Sequence, residues 1–66
     1  AFGKMAERLV DYIIEKSADD RLQVTHQTIA NDLGTSREVI SRLLKDFERQ
    51  GRVSLSRNLI TITGDL

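Results

Sequence analysis

The chain of 66 residues contains no cysteine, which excludes disulfide bonds, thiolate metal ligands and a cysteine nucleophile. Long apolar runs are also missing: the longest, at residues 12–14 and 59–60, are too short for a membrane span or a signal peptide. We therefore expect a cytoplasmic protein. Because the first residue is alanine rather than methionine, we also expect a domain excised from a longer protein.

Histidine, the residue that most often serves as a general acid or base, is also scarce. His26 is the single histidine, and no second histidine or cysteine can build a metal site or activate a nucleophile beside it. Asp19 and Asp20 are adjacent in a polar segment, which favours a turn over a pair of catalytic carboxylates. The sequence therefore argues against an enzyme, and we expect this segment to bind no cofactor.

The chain has no excess of either charge, because ten basic and ten acidic residues cancel. A net charge of zero argues against indiscriminate nucleic-acid binding. The distribution is uneven, however. The net charge is −2 over residues 1–36, +3 over residues 37–57 and −1 over residues 58–66. Phosphate binding depends on local patches, so residues 37–57 are where we expect an anionic partner.

The most strongly patterned segment is REVISRLLKDFERQG, residues 37–51. Its apolar residues recur at i, i+3, i+4 and i+7, which predicts an amphipathic helix over 37–50 with this stripe buried: Ile40, Leu43, Leu44 and Phe47. The opposite face is charged and polar: Arg37, Glu38, Ser41, Arg42 and Lys45. Arginine pairs with guanine O6 and N7, and glutamate accepts from cytosine N4, so this face is suited to recognising DNA bases. A solvated surface helix is the alternative, with a Thr35–Glu38 capping box and a Glu38–Arg42 ion pair.

Two more helices are predicted before this one. The first covers residues 3–16 and has a broad apolar face: Phe2, Met5, Ala6, Leu9, Val10, Ile13 and Ile14. The second covers residues 26–33, after the N-cap residue Thr25 and before Gly34, which suits a left-handed backbone. Thr35 or Ser36 then caps the third helix. Two helices joined by a three-residue turn with glycine form the helix-turn-helix pattern, here spaced by Ile29, Ala30, Leu33, Gly34, Ile40 and Leu43.

After Gly51 the period changes from helical to alternating. Val53 and Leu55, then Leu59 or Ile60 with Ile62, alternate with serine and threonine, which predicts a hairpin that turns at 56–58 and ends at Gly64. Residues 22–24 could add a very short strand. The predicted fold is mainly α with a small β-hairpin, a winged helix-turn-helix of three helices plus wing, as one domain over residues 1–66. Arg57 at the hairpin tip is placed to contact a phosphate, although it also suits a solvated edge charge.

The segment THQTIANDLGTSREVISRLLKDFERQGRV resembles the DNA-binding domain of the Crp/Fnr family of bacterial transcription regulators. The most specific part is Ser36-Arg37-Glu38 followed by Ser41-Arg42, and residues 3–6 are similar to the start of the family domain's first helix. The resemblance implies sequence-specific binding of double-stranded DNA. It also implies a homodimeric full-length regulator, with RNA polymerase as a further partner, whose sensor domain and dimerisation helix are absent from this chain.

The same resemblance implies a role for each matching residue. Arg37, Glu38 and Arg42 match the base contacts of the cyclic-AMP receptor branch, whereas Glu38, Ser41 and Arg42 match those of the oxygen-responsive branch. TGTGA-like and TTGAT-like half-sites therefore both remain open, with a shared GA core. Contacts to the DNA backbone are expected from five residues: His26, Gln27, Ser36, Lys45 and Arg57. Three residues depart from the cyclic-AMP receptor's pattern, where arginine, threonine and a turn glycine occupy the positions of His26, Val39 and Arg57.

A winged helix that contacts another protein is the alternative function. It predicts an exposed apolar patch and no salt-dependent affinity for DNA. The sequence pattern shows no such patch, because the wide apolar faces are needed for the core. DNA binding is therefore the leading hypothesis.

Overall fold

The computed structural model describes residues 3–66, which fold into three helices and three short strands. The helices are α1 (Gly3–Lys16), α2 (His26–Leu33) and α3 (Arg37–Arg49), and the strands are β1 (Arg21–Leu22), β2 (Val53–Ser56) and β3 (Leu59–Ile62). The strands form one antiparallel sheet in the order β1-β3-β2. This confirms the predicted winged helix-turn-helix. Phe2, assigned by the sequence pattern to the apolar face of the first helix, lies outside the described residues.

The core is built from all three helices and the sheet. The four apolar residues of the α3 stripe are each at most 5% exposed, and each stabilises the fold by roughly 1.5–3 kcal/mol. They pack with six further buried residues: Leu9, Ile13, Ile29, Ala30, Val53 and Ile60. The sequence left open whether Leu59 or Ile60 is the inward-facing residue of the second wing strand, and the structure shows that it is Ile60. Ile14 was wrongly placed on the apolar face of α1: it is 54% exposed, because it lies about 100° round the helix from buried Ile13.

The turn between α2 and α3 depends on one glycine. Gly34 has φ 70, a left-handed conformation that costs glycine little because it has no Cβ. Its backbone N–H points to the carbonyls of Ala30 and Asn31, and the Thr35 N–H donates to the Ala30 carbonyl at 2.9 Å. The turn therefore satisfies the carbonyl groups at the end of α2 and brings the next helix back across it.

Of the two residues predicted to cap α3, Thr35 and Ser36, the structure shows Ser36 as the N-cap. The Ser36 side chain accepts the Val39 N–H at 3.3 Å, so Ser36 is the N-cap of α3 and Glu38 is only its second helical residue. This geometry excludes the Thr35–Glu38 capping box. The Glu38–Arg42 ion pair is also not formed, since the ion pair found across residues 3–66 joins Arg49 to Asp46. α3 ends at Arg49, one residue before the predicted end.

The wing is a hairpin with a two-residue turn. Ser56 pairs with Leu59, which leaves Arg57 and Asn58 between the strands. The left-handed position in this turn is Asn58 (φ 55), a residue type that tolerates it, so arginine can stand at the preceding position. Leu55 N–H donates to the Glu48 carboxylate at 3.0 Å, which ties the wing to α3.

The short strand before α2 lies one residue earlier than predicted. β1 is Arg21–Leu22 rather than 22–24, and it pairs with Thr61 and Ile60 of β3. The following chain stays beside the wing, because Val24 N–H donates to the Asn58 carbonyl at 3.0 Å. Across residues 3–66, no helix has the length and apolar character that crossing a bilayer requires.

Candidate nucleic-acid interface

The outer face of α3 presents its charged residues to solvent. Arg37, Glu38, Arg42 and Lys45 are all exposed, opposite the buried stripe of the same helix. The ion pair in α3 lies near its C-terminal end, between Arg49 Nη1 and Asp46 Oδ1 at 3.8 Å. Within residues 3–66, the charged side chains of the N-terminal half of α3 therefore have no ionic partner and are available to a ligand.

Two of these charged residues share a small groove. Glu38 and Arg42 line a concavity of about 160 Å³ together with Ser36 and Val39. They are four residues apart on α3, so their Cβ atoms are neighbours on one face. Half-buried Val39 adds an apolar surface beside them. A hydrogen-bond acceptor, a guanidinium fork and an apolar contact are thus presented together.

A second groove brings α2, α3 and the wing together. Its volume is about 330 Å³, and it is lined by Thr25, His26, Gln27, Arg37, Ser56, Arg57 and Asn58. Three of the five predicted backbone-contacting residues therefore lie in one groove with Arg37. Ser36 lies in the adjacent smaller groove, and Lys45 is exposed about two turns along α3 from Arg37.

The starts of α2 and α3 supply unpaired backbone N–H groups to this surface. The Thr25 hydroxyl accepts the Thr28 N–H at 3.1 Å and the Ser36 hydroxyl caps α3, so other N–H groups of each first turn remain for an anion. Gln27 is exposed, and its amide donates to Asn31 Oδ1 at 2.9 Å. The amide nitrogen has a second N–H, so this side chain can donate to a phosphate while it keeps the bond to Asn31.

His26 and Ser41 are joined across the helix-turn-helix. His26 Nδ1 lies 2.8 Å from Ser41 Oγ, and both residues are half-buried. Burial, and secondly the positive charge of Arg37, lower the pKa of His26 below 6.5, so the imidazole is neutral at pH 7. The sequence pattern placed Ser41 on the open face and missed this bond. It joins residues on two different helices, so helical periodicity carries no signal for it.

A bond between α1 and α2 was also missed. Tyr12 Oη donates to Asp32 Oδ2 at 2.6 Å. Burial raises the pKa of Tyr12 to about 12, helped by this hydrogen bond and by the negative charge of Asp32. The phenol therefore stays protonated and holds α1 against the helix-turn-helix. Over residues 3–66, no three histidine or carboxylate side chains converge on a position that would hold a metal ion.

Residues 3–64 match the family model of the Crp-like helix-turn-helix domain. The chain belongs to the Crp/Fnr family. A solved structure from Eubacterium rectale, assigned to this family of transcriptional regulators, superposes with a TM-score of 0.83 at 43% identity over 88% of the chain. The catabolite activator protein of Thermus thermophilus superposes with a TM-score of 0.70 at 28% identity over 86% of it. No match was found among curated proteins.

A Crp-like helix-turn-helix domain is a DNA-binding domain of transcription regulation rather than an enzyme, as the sequence predicted. The chain spans 28% of the length of the Eubacterium rectale protein and 26% of that of the Thermus thermophilus protein.

Proposed function

We propose that residues 1–66 are a single winged helix-turn-helix domain that binds double-stranded DNA sequence-specifically. The observation that supports this most strongly is the division of α3 into two faces. One face is buried in the core and fixes the helix, while the other presents Arg37, Glu38 and Arg42 to solvent without ionic partners in residues 3–66. α3 has 13 residues, or about 20 Å, and a B-DNA major groove admits such a helix.

The outer face of α3 then supplies the base contacts. Arg37 and Arg42 carry guanidinium forks that suit guanine, and the Glu38 carboxylate suits the amino group of cytosine. With Glu38 and Arg42 side by side, the two recognise a GA core from opposite strands of a palindromic half-site. Ser41 contributes as well, because a hydroxyl has one donor and two acceptor lone pairs and keeps capacity beside its bond with His26.

Contacts to the DNA backbone position this helix. His26, Gln27 and Ser36 lie at the N-terminal ends of α2 and α3, where N–H groups and the helix dipole favour a phosphate. Lys45 contacts the backbone further along the groove, and Arg57 does so from the wing. All five contribute affinity and register rather than sequence preference.

The complete regulator is proposed to be a cytoplasmic homodimer. Its Crp/Fnr relatives are more than three times as long as this domain, which leaves room for a sensor domain and a dimerisation helix. Two copies would bind half-sites about one helical turn apart, the spacing found for helix-turn-helix dimers including the catabolite activator protein. RNA polymerase is a further proposed partner.

Protein binding through an apolar face is the competing function. The large hydrophobic side chain that residues 3–66 leave exposed is Ile14, at 54%. One isolated side chain is far smaller than the apolar patches that mark protein interfaces. No feature of the described residues favours this function over DNA binding.

Site selection followed by titration tests the proposal. The chain is used to select duplexes from a random pool, and affinity for the selected duplex is compared with that for a scrambled duplex across a salt series. We expect the selected duplex to contain a GA core, to bind at least about tenfold more tightly than the scrambled one, and to weaken steeply with salt. Equal affinity for both duplexes would contradict sequence-specific binding.

A further inference from the structure

A second basic surface adjoins the proposed interface. Three cationic residues, Lys16, Arg21 and Arg57, line a concavity of about 640 Å³ together with Ala18, Leu22, Gln23 and Leu59. No carboxylate is among these lining residues. Arg57 also lines the groove that contains His26 and Arg37, so the two surfaces are continuous at the wing tip.

The pairing of β1 with β3 places Lys16 and Arg21 beside the wing. Lys16 is the last residue of α1 and Arg21 the first residue of β1, and β1 pairs with the same strand, β3, that forms one side of the wing. Exposure alternates along this stretch: Arg21 and Gln23 are exposed, whereas Leu22 and Val24 are half-buried. Alternate residues of an extended chain share a face, so Arg21 and Gln23 project on the same solvent side.

The cations of this surface are not neutralised by ion pairs with other residues of the described part of the chain. The ion pair found across residues 3–66 does not involve Lys16, Arg21 or Arg57. Lys16 Nζ lies 6.0 Å from the Tyr12 ring centroid, at the outer limit of a cation–π contact. Asp19 and Asp20 occupy the turn before β1, but they do not line the concavity.

We infer that Lys16 and Arg21 bind backbone phosphates of DNA that flanks the half-site on the wing side, with Arg57 joining this surface to the recognition surface. The inference rests on the proposed DNA-binding function. Exposed cations spread along a broad surface suit a DNA backbone, which carries a series of regularly spaced phosphates. The contact is independent of base sequence, so it adds affinity and salt dependence but no specificity.

The test compares short and extended duplexes. The short duplex contains one selected half-site, and the extended duplexes add about ten base pairs, one helical turn, of arbitrary sequence to one side or the other. Three forms of the chain are titrated: the unchanged chain, the double variant Lys16→Gln/Arg21→Gln, and the control Arg8→Gln/Arg49→Gln. The control removes the same charge from exposed positions on α1 and at the end of α3. Thermal unfolding checks that each variant is folded.

We expect extension on one side to tighten binding by the unchanged chain and by the control. The Lys16→Gln/Arg21→Gln variant should lose this gain, and its plot of log affinity against log salt should be shallower by about two units on the extended duplex, roughly 0.9 per lost phosphate contact. The charge-conserving variant Lys16→Arg/Arg21→Lys should keep the gain.

Two results would overturn the inference while leaving the proposed function intact. Either extension gives no gain although the half-site is still bound specifically, or the gain survives in Lys16→Gln/Arg21→Gln. A third result, in which the unchanged chain does not distinguish the half-site from a scrambled duplex, would remove the proposed function and the inference together.

Discussion

The sequence predicted which residues of α3 are exposed, but it did not predict which of them form hydrogen bonds with other helices. Exposure of Arg37, Glu38 and Arg42 follows from helical periodicity, because the buried stripe of the same helix fixes which side faces out. The bond between His26 and Ser41 could not be predicted in this way, since it depends on how two helices cross. Helical periodicity therefore identifies the exposed surface of α3. Which of its polar groups already form hydrogen bonds within the domain depends on tertiary packing.

Arg42 provides the sharpest test at the residue scale. Replacing it with alanine should weaken binding to the selected duplex by roughly 1–3 kcal/mol and relax the preference for one guanine, because a bidentate base contact is lost. The measurement is competition against duplexes mutated one base pair at a time. Arg49→Ala is the matched control, with an exposed arginine of the same helix already paired to Asp46. Equal losses for both variants, with unchanged base preference, would show that Arg42 contributes charge alone.

His26 should make stability depend on pH. Its pKa is lowered below 6.5 in the folded domain, chiefly by burial and then by Arg37, so the unfolded chain binds more protons in this range. The contribution of His26 to stability is therefore complete above pH 6.5 and declines as the pH falls through the lower, folded-state pKa.

Urea unfolding of the unchanged chain and of His26→Gln, between about pH 7.5 and pH 5, measures this linkage. The unchanged chain should lose more of its unfolding free energy on acidification than His26→Gln, in which this titration is absent. Parallel losses in the two proteins would mean that the pKa of His26 is not lowered by folding.

Among the elements, the bounds of the helices were predictable, whereas the exact position of the short strand was not. The three helices begin where predicted and end within a residue of prediction, because their caps and apolar periods are local. β1 is only two residues long, and its position is set by pairing with Thr61 and Ile60, which lie far along the chain. The exposed position of Ile14 was missed because a broad apolar face does not specify its own edge.

The isoleucine pair Ile40 and Ile14 tests the orientation of the helices. Ile40 is fully buried and Ile14 is 54% exposed, so the same substitution to alanine probes opposite environments. Ile40→Ala should lower the free energy of unfolding by about 2–5 kcal/mol through lost burial and a cavity. Ile14→Ala should change it by less than about 0.5 kcal/mol. Chemical denaturation measures both, and similar values would indicate that α3 does not bury the predicted stripe.

For DNA binding by the whole domain, the distribution of charge matters more than the net charge. The positive segment 37–57 contains α3 and the wing turn, while the acidic excess lies in residues 1–36. This polarity was visible in the sequence. The continuity of Arg57 with Arg37 on one side and with Arg21 on the other was not, because the wing tip meets these residues only in the folded sheet.

In the proposed dimeric arrangement, joining two copies of the domain should raise the affinity for a palindromic duplex. A dimeric coiled coil fused before residue 3 makes the second binding event intramolecular, so affinity for a palindrome should rise by about 10²-fold or more. Inserting about five base pairs between half-sites should abolish much of this gain, because it turns one half-site to the opposite side of the duplex. Affinity that does not depend on spacing would contradict paired half-site binding.

DNA recognition by α3 can be tested by mapping DNA contacts with nuclear magnetic resonance during titration with the selected half-site duplex. We expect the largest changes in chemical shift on residues 36–45, on the start of α2 and on the wing turn. The side-chain signals of Arg37 and Arg42 should shift with them. A scrambled duplex at the same concentration should leave the arginine signals largely unchanged. Changes centred instead on α1 around Ile14, with α3 unaffected, would contradict the claim that the outer face of α3 recognises DNA.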